Sequence, residues 1–360
     1  MLRHRNAAAM FGLLAGLATA AAFTPAQAQQ PQTTQPATPA QSAQGAAGFY
    51  KGKTVHFIVG YGPGGGYDTY ARLLGPHFEK ATGATVVVEN KPGAGGITAL
   101  NQVVRGEPDG LTFQMLNGEA AILSQLTQKA GVAYDMNKVG MIARVQEEPH
   151  FMLVNPKMPG DIKTIVFSGK KVKFSAGSRT DNLGDYAAVT CEALKMNCKI
   201  ITGYKGSKGA SLALFNGEAD ALTISESSGL RYAKGGKAKI VLTIGHERSK
   251  YKPDTPTVYE AFNLAPADKW WFDWRLGIKA FGRAIVGPPG IPADRLAYLQ
   301  KVWKNILTDT AVIDELGKRR RGVKYGTPDE MKKALDDGLG SLPADKVKQV
   351  QEVLLKKFSS

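Results

Sequence analysis

Thr54-Val55-His56-Phe57-Ile58-Val59 runs into Gly60-Tyr61-Gly62-Pro63-Gly64-Gly65-Gly66, and Tyr67-Asp68-Thr69-Tyr70-Ala71-Arg72-Leu73-Leu74 follows without a break. A short β-branched apolar run, a glycine cluster and then apolar residues at helical spacing read as strand, loop and helix, the helix lying over residues 69–80. The same rhythm continues with a strand at 85–89, a helix at 97–105 and a strand at 111–116. Alternation of this kind implies a parallel sheet covered by helices.

The rhythm restarts downstream. A strand at 173–175, a loop at 176–182, a helix at 183–195, a strand at 199–202, a helix at 211–216 and strands at 221–224 and 239–244 make a second α/β unit. Beyond Ile244 the chain is turn-rich and aromatic. It closes with helices at 294–308, 310–320, 329–339 and 345–358, expected to pack back on the first unit. The reading is therefore α/β with two lobes: lobe 1 over 49–152, lobe 2 over 153–268, and a return to lobe 1 over 269–360. Ligands of such folds bind in the cleft between lobes.

The compartment follows from the first residues. Arg3, His4 and Arg5 precede an apolar run at 10–23 that is too short to span a bilayer, and Ala26-Gln27-Ala28 is a small-residue exit. Residues 1–28 read as a secretory signal peptide cleaved before Gln29, with an uncleaved N-terminal anchor as the competing reading, and the mature chain is expected in the periplasm. Residues 29–48, almost all Gln, Pro, Thr, Ala, Ser and Gly, form a spacer that buries too little surface to fold.

Lys and Arg total 46 against 31 acids; loss of Arg3 and Arg5 with the signal leaves a net charge of +13. The charge is scattered, with one dense run at 318–321 that reads as a solvated helix end, so nucleic acid is excluded as a partner. The two cysteines, Cys191 and Cys198, would sit ~10 Å apart along one continuous helix, too far to bond. A disulfide requires the helix to end near Met196-Asn197 and the chain to turn back; the alternative is two buried thiols.

Gly60-Tyr61-Gly62-Pro63-Gly64-Gly65, with Glu89 ending the next strand, matches a dinucleotide-binding fingerprint. Asp68, at the apparent helix N-cap, opposes it: its charge would repel a pyrophosphate from that seat. The five histidines are scattered, and no Gly-x-Ser-x-Gly or His-Glu-x-x-His pattern occurs, so hydrolase and zinc chemistry lack support. His150 reads as a packed or surface histidine. Neither an enzyme nor a cofactor is expected.

Pro63-Gly64-Gly65-Gly66-Tyr67-Asp68-Thr69-Tyr70-Ala71-Arg72, Val86-Val87-Val88-Glu89-Asn90-Lys91-Pro92-Gly93-Ala94-Gly95-Gly96 and Pro108-Asp109-Gly110 together resemble the solute receptors of tripartite tricarboxylate transporters, the Bug (TctC-like) family. Later landmarks, among them Ser175-Ala176-Gly177, Tyr204-Lys205-Gly206 and Pro288-Pro289-Gly290-Ile291-Pro292, extend the resemblance over nearly the whole mature chain. It implies a type II periplasmic-binding-protein fold whose lobes close on a carboxylated ligand, a di- or tricarboxylate or an aromatic carboxylate. The partner it implies is a set of membrane transporter subunits, served by a receptor expected to be monomeric; a sensor accessory that presents ligand to a kinase is the second reading.

The resemblance also implies two loop-to-helix junctions that hold the carboxylate, Gly65, Gly66, Tyr67, Asp68 and Thr69 in lobe 1 and Gly177, Ser178, Arg179, Thr180 and Asn182 in lobe 2. Helix starts suit this because their unpaired amides and dipole favour anions. Asp68 either shapes the loop as a cap or meets the ligand. Arg179 stands where the family has a small residue and Asn182 where it commonly has histidine; Arg179 either grips a second carboxylate or lies in solvent. Tyr204 can wall the cleft and hydrogen-bond a ligand. Trp270-Trp271-Phe272-Asp273-Trp274-Arg275 is either inter-lobe core or an aromatic wall.

Overall fold

Residues 54–59 form a strand whose side chains become uniformly buried towards Val59, which is what a sheet covered on both faces demands. The computed structural model describes residues 45–359 apart from 47, 159, 160 and 341. The signal peptide, its cleavage site and most of the spacer lie outside the described residues. Lobe 1 supplies β1 (Thr54–Val59), β2 (Thr85–Asn90), β3 (Thr112–Asn117) and β4 (Gly140–Gln146). Lobe 2 supplies β5 (His150–Val154), β6 (Val172–Ser175), β7 (Cys198–Ile201), β8 (Ala221–Ser225) and β9 (Lys239–Ile244), and β10 (Arg283–Gly287) returns to lobe 1.

The sheets are ordered β2-β1-β3-β10-β4 and β7-β6-β8-β5-β9. Both are mixed rather than wholly parallel. β10 runs antiparallel between β3 and β4, and β5 runs antiparallel to β8 and β9. Every residue of β5 and of β10 is buried. A strand buried on both faces has no alternation to betray it, which is why these two central strands carry little signal in the sequence.

The lobe boundaries shift accordingly. The first crossing lies between Gln146 and His150, a few residues before the expected 152. The stretch after Ile244 contains a 13-residue helix, Pro266–Ile278, which packs on the lobe 2 helix Gly184–Ala193. Helices Ala293–Thr308 and Thr310–Lys318 pack on lobe 1, with Trp303 fully buried among Phe57, Phe78 and Phe113. The chain end departs from the expectation: the turn Val353–Lys357 packs on helix Gly184–Ala193, and the Ile200 amide donates to the Phe358 carbonyl. The C-terminus therefore belongs to lobe 2, because the apolar residues Val353, Leu354 and Phe358 are buried there.

Two local details position the site. Helix Gly66–Thr82 stops at Gly83, whose φ of 71° is accessible to glycine at little cost. Helix Gly184–Ala193 stops two residues before the predicted end, Lys195 takes φ 51°, and Cys198 opens β7. That reversal brings the Cα atoms of Cys191 and Cys198 to 6.2 Å, and their sulfurs are bonded. The basic run at 318–321 is not uniformly solvated. Lys318, Arg319 and Arg320 are exposed, but Arg321 is buried and donates to Ser227 Oγ at 2.8 Å, because its side chain turns into the inter-lobe seam.

Candidate functional site

The glycine loop after β1 is clasped by the other lobe. The Gly62 amide donates to the Lys205 carbonyl at 2.8 Å, and Arg231 NH1 and the Tyr232 hydroxyl donate to the Gly64 carbonyl at 3.0 and 3.3 Å. Ser124 and Thr180 hydroxyls meet across the seam at 2.7 Å. These contacts describe closed lobes. Between them lies a cavity lined from lobe 1 by Tyr61, Gly65, Gly66, Tyr67, Asn117 and Arg283, and from lobe 2 by His150, Asp181, Asn182, Leu183, Ser225 and Ser228, among others.

Helix Gly66–Thr82 opens onto this cavity. Its N-cap is Gly65, no side chain caps it, and its first intrahelical bond runs from the Thr69 amide to the Gly65 carbonyl. The amides of the first turn are thus left for a guest, with the positive end of the helix dipole behind them. A Cβ on Gly66 would come within 3.0 Å of Ser228 Oγ and 3.5 Å of Arg283 NH1, so glycine keeps the approach open. The same distances place the Arg283 guanidinium directly against the helix start.

Arg283 is the cation of the site. It is buried, and its NH2 donates to Glu148 Oε1 at 3.1 Å. Tyr67 and Tyr70 cover its faces, with guanidinium-to-ring distances of 3.9 and 4.6 Å. Its Nε and NH1 have no hydrogen-bond partner. A buried guanidinium with free donors is expensive to keep without something to fill them. Glu148 is itself tied down by the Ser227 amide and hydroxyl at 2.7 and 3.0 Å. Although burial works against it, the neighbouring Tyr67, Glu148 and Tyr70 groups hold the Arg283 pKa above its ordinary value, so the charge is permanent.

The second junction is different. Asp181 is buried, and its carboxylate accepts from the amides of Ser178 at 3.0 Å, Leu183 at 3.1 Å and Gly184 at 2.9 Å. The anion seat at the start of helix Gly184–Ala193 is filled by the protein's own side chain. Burial pushes the Asp181 carboxyl up to about 6, against the amides and Lys129, which hold it down.

His150 and Asn182 complete the lobe 2 wall. His150 stacks on Tyr186 at 3.9 Å between ring centroids, and its Nε2 faces Asn182 Nδ2 at 3.4 Å. Burial, then the charges of Arg275, Lys279 and Arg283, hold the His150 pKa well below 6.5, so the ring is neutral at physiological pH. His150 Nδ1 and Asn182 Oδ1 are buried without partners.

Of the residues expected in the site, Gly65, Gly66, Tyr67 and Asn182 line the cavity. Asp68 is not the N-cap but lies in the first turn, where it accepts from the Gly64 amide at 2.8 Å and pairs with Arg72 at 2.8 Å, shaping the loop from behind. The Thr69 hydroxyl donates to the Gly65 carbonyl. Ser178 and Thr180 are buried within their loop, Thr180 bonding Ser124 and Lys129. The Arg179 guanidinium is turned to the chain end, where it donates to the carbonyls of Val353, Leu354 and Phe358 and satisfies the end of the C-terminal helix. Gly177 and Tyr204 line a neighbouring recess, with the Tyr204 hydroxyl on Glu218.

The aromatic segment around Trp270 is inter-lobe core. Trp271 and Phe272 are buried, and none of the six residues from Trp270 to Arg275 lines the cavity. The dinucleotide fingerprint does not present itself to a cofactor, since Gly62 is pressed against the Lys205 carbonyl and Glu89 is held by His56 and Lys91. Among the described residues no group of three or more His, Cys, Asp or Glu side chains could hold a metal ion. Sequence reasoning missed Arg283, His150 and Asp181. Arg283 had one signal, a lone charge opening an otherwise apolar strand; Asp181 had another, an acid just before a helix.

The family model described as "Tripartite tricarboxylate transporter family receptor" matches residues 70–338. Protein BugT of Bordetella pertussis (strain Tohama I) is 24% identical over 304 residues, covering 81% of this chain and 88% of that protein. The structure of the periplasmic binding protein BugD superposes with a TM-score of 0.70 at 22% identity, over 84% of this chain and 98% of that one. MatC from Rhodopseudomonas palustris, with bound malate, gives a TM-score of 0.66 at 21% identity, over 84% and 99%.

Proposed function

The chain belongs to the receptor family of tripartite tricarboxylate transporters and is a solute-binding receptor rather than an enzyme, and we propose that it captures a small carboxylate in the periplasm and delivers it to the membrane subunits of such a transporter. The observation that carries the ligand class is the meeting of two unfilled positive elements in one closed cavity. The uncapped start of helix Gly66–Thr82 and buried Arg283, whose Nε and NH1 have no partner, line the same space. A carboxylate is acceptor-only and flat, and it can take two parallel bonds from a guanidinium while accepting helix-start amides.

The order of events in this reading starts at lobe 1. The glycine loop and Arg283 sit on lobe 1 and receive the anion. Lobe 2 then closes, bringing His150 and Asn182 over the guest and clasping Gly64 between Arg231 and Tyr232. Ligand that binds the closed state more tightly shifts the population towards it, and that shift is what a membrane partner can read. The basic surface of the mature chain raises the local concentration of anionic solutes.

A thermal-shift screen of the purified mature chain against carboxylates and nicotinamide cofactors tests this. Carboxylates should raise the melting temperature in a concentration-dependent way, since a ligand of the native state stabilises by mass action. Stabilisation by NADH with none by any carboxylate would reject the proposal.

A further inference from the structure

The polar groups left over in the cavity specify more than one carboxylate. One permanent cation, Arg283, faces the space, and its charge is already partly matched by Glu148. The second helix start offers nothing to an anion because the Asp181 carboxylate occupies its amides. Among the fully buried polar atoms of the lobe 2 wall, those without a partner are His150 Nδ1 and one polar atom of the Asn182 amide.

The proton count on that pair is fixed whichever way the amide is turned. If Asn182 Nδ2 donates to His150 Nε2, the single ring proton of the neutral imidazole sits on Nδ1, leaving one donor at Nδ1 and one acceptor at Oδ1. If the amide is flipped, Oδ1 accepts from Nε2–H, leaving Nδ1 as the acceptor and Nδ2 as the donor. Either way the pair, on two residues that line the cavity, holds one unpaired donor and one unpaired acceptor, both uncharged. A second ionised carboxylate, which only accepts, would leave an acceptor facing an acceptor and would meet the buried Asp181 charge.

We propose that the guest is a monocarboxylate bearing a neutral group that both donates and accepts a hydrogen bond, such as a hydroxyl or a primary amide, and that His150 and Asn182 select it against dicarboxylates. The proposal rests on the carboxylate reading above and narrows it. Arg283 and the Gly65–Gly66–Tyr67 amides hold the carboxylate, while His150 and Asn182 hold the neutral group from the opposite lobe.

Calorimetric titration at pH 7.5 with three matched straight-chain series of three to six carbons separates the possibilities: dicarboxylates, their monoamides and their diamides. At the best-fitting length the monoamide should bind about tenfold or more tightly than the dicarboxylate, the size expected when a buried polar group loses its partner. In H150F, which keeps a ring against Tyr186, or in N182L, that preference should shrink to within about threefold. Dicarboxylates binding as tightly as monoamides would overturn the inference and leave the carboxylate reading standing. Diamides binding as tightly as monoamides, or no binding by any series, would overturn both.

Discussion

Two buried arginines lie close to the same seam and do opposite things. Arg275, on helix Pro266–Ile278, is fully enclosed and each of its nitrogens is paired: Nε and NH2 grip Asp185 at 2.9 and 3.1 Å, and NH1 meets Glu119 at 2.7 Å. Those carboxylates belong to different lobes, since Glu119 is on helix Gly118–Leu126 and Asp185 on helix Gly184–Ala193. Arg283 has one carboxylate, two covering rings and two nitrogens with no partner. Burial is common to both; hydrogen-bond completeness is not. A guanidinium whose three nitrogens are all paired holds lobes together, whereas one with two unpaired nitrogens beside a cavity is the seat of the anion in the function proposed above.

The contrast can be broken most severely at Arg275. R275M leaves Asp185 and Glu119 buried without their counter-ion, and urea unfolding should record a loss of about 3–5 kcal/mol. A loss under about 1 kcal/mol would show that the cluster is not the tie described. R283Q should act on binding instead. Glu148 keeps the Ser227 amide and hydroxyl, so the fold survives, while carboxylate affinity falls about 100-fold by calorimetry, in line with the 2–5 kcal/mol expected for a buried charged contact. Affinity within threefold of the parent would remove Arg283 from the site.

The smallest effect belongs to Asp181, whose charge opposes the guest. Its folded carboxyl titrates near 6, above the ordinary 3.8, so between roughly pH 4 and pH 6 the native chain holds a proton that the unfolded chain has released. Stability from this group is therefore present at low pH, declines as pH rises through that window and levels off above it. Carboxylate affinity should follow the same direction, improving about twofold to fivefold from pH 7.5 to 5.5 for a ligand ionised throughout. D181N should abolish that pH dependence in titrations at the two pH values; an unchanged slope would assign it elsewhere.

Much of this was legible without coordinates. The unit 54–80 is local in origin: β-branched residues, a glycine cluster and helical spacing act over a few residues, so strand, loop and helix follow from the sequence, although the helix begins at Gly66 rather than at the expected 69. The order of later motifs was enough to identify the two-lobed receptor fold. Asp68 was expected at the N-cap, three residues too late: Gly65 takes the cap, and the Asp68 carboxylate accepts from the Gly64 amide.

The second junction misled for an equally local reason: a helix start attracts anions from outside and from within alike, and Asp181 satisfies it three residues before Gly184. Arg179 looked like a ligand contact because nothing nearby in sequence announces that the C-terminal carbonyls of Val353, Leu354 and Phe358 return to it.

What the sequence determined by itself was the pair of lobes and the glycine loop ahead of helix Gly66–Thr82, since both depend on patterns spanning tens of residues at most. Only the tertiary structure decided which charges share the cavity. Arg283 reaches it because β10 inserts antiparallel between β3 and β4, and His150 because β5 lies between β8 and β9. Pairings between segments so distant along the chain are set by core packing, and the backbone near either residue carries no trace of them.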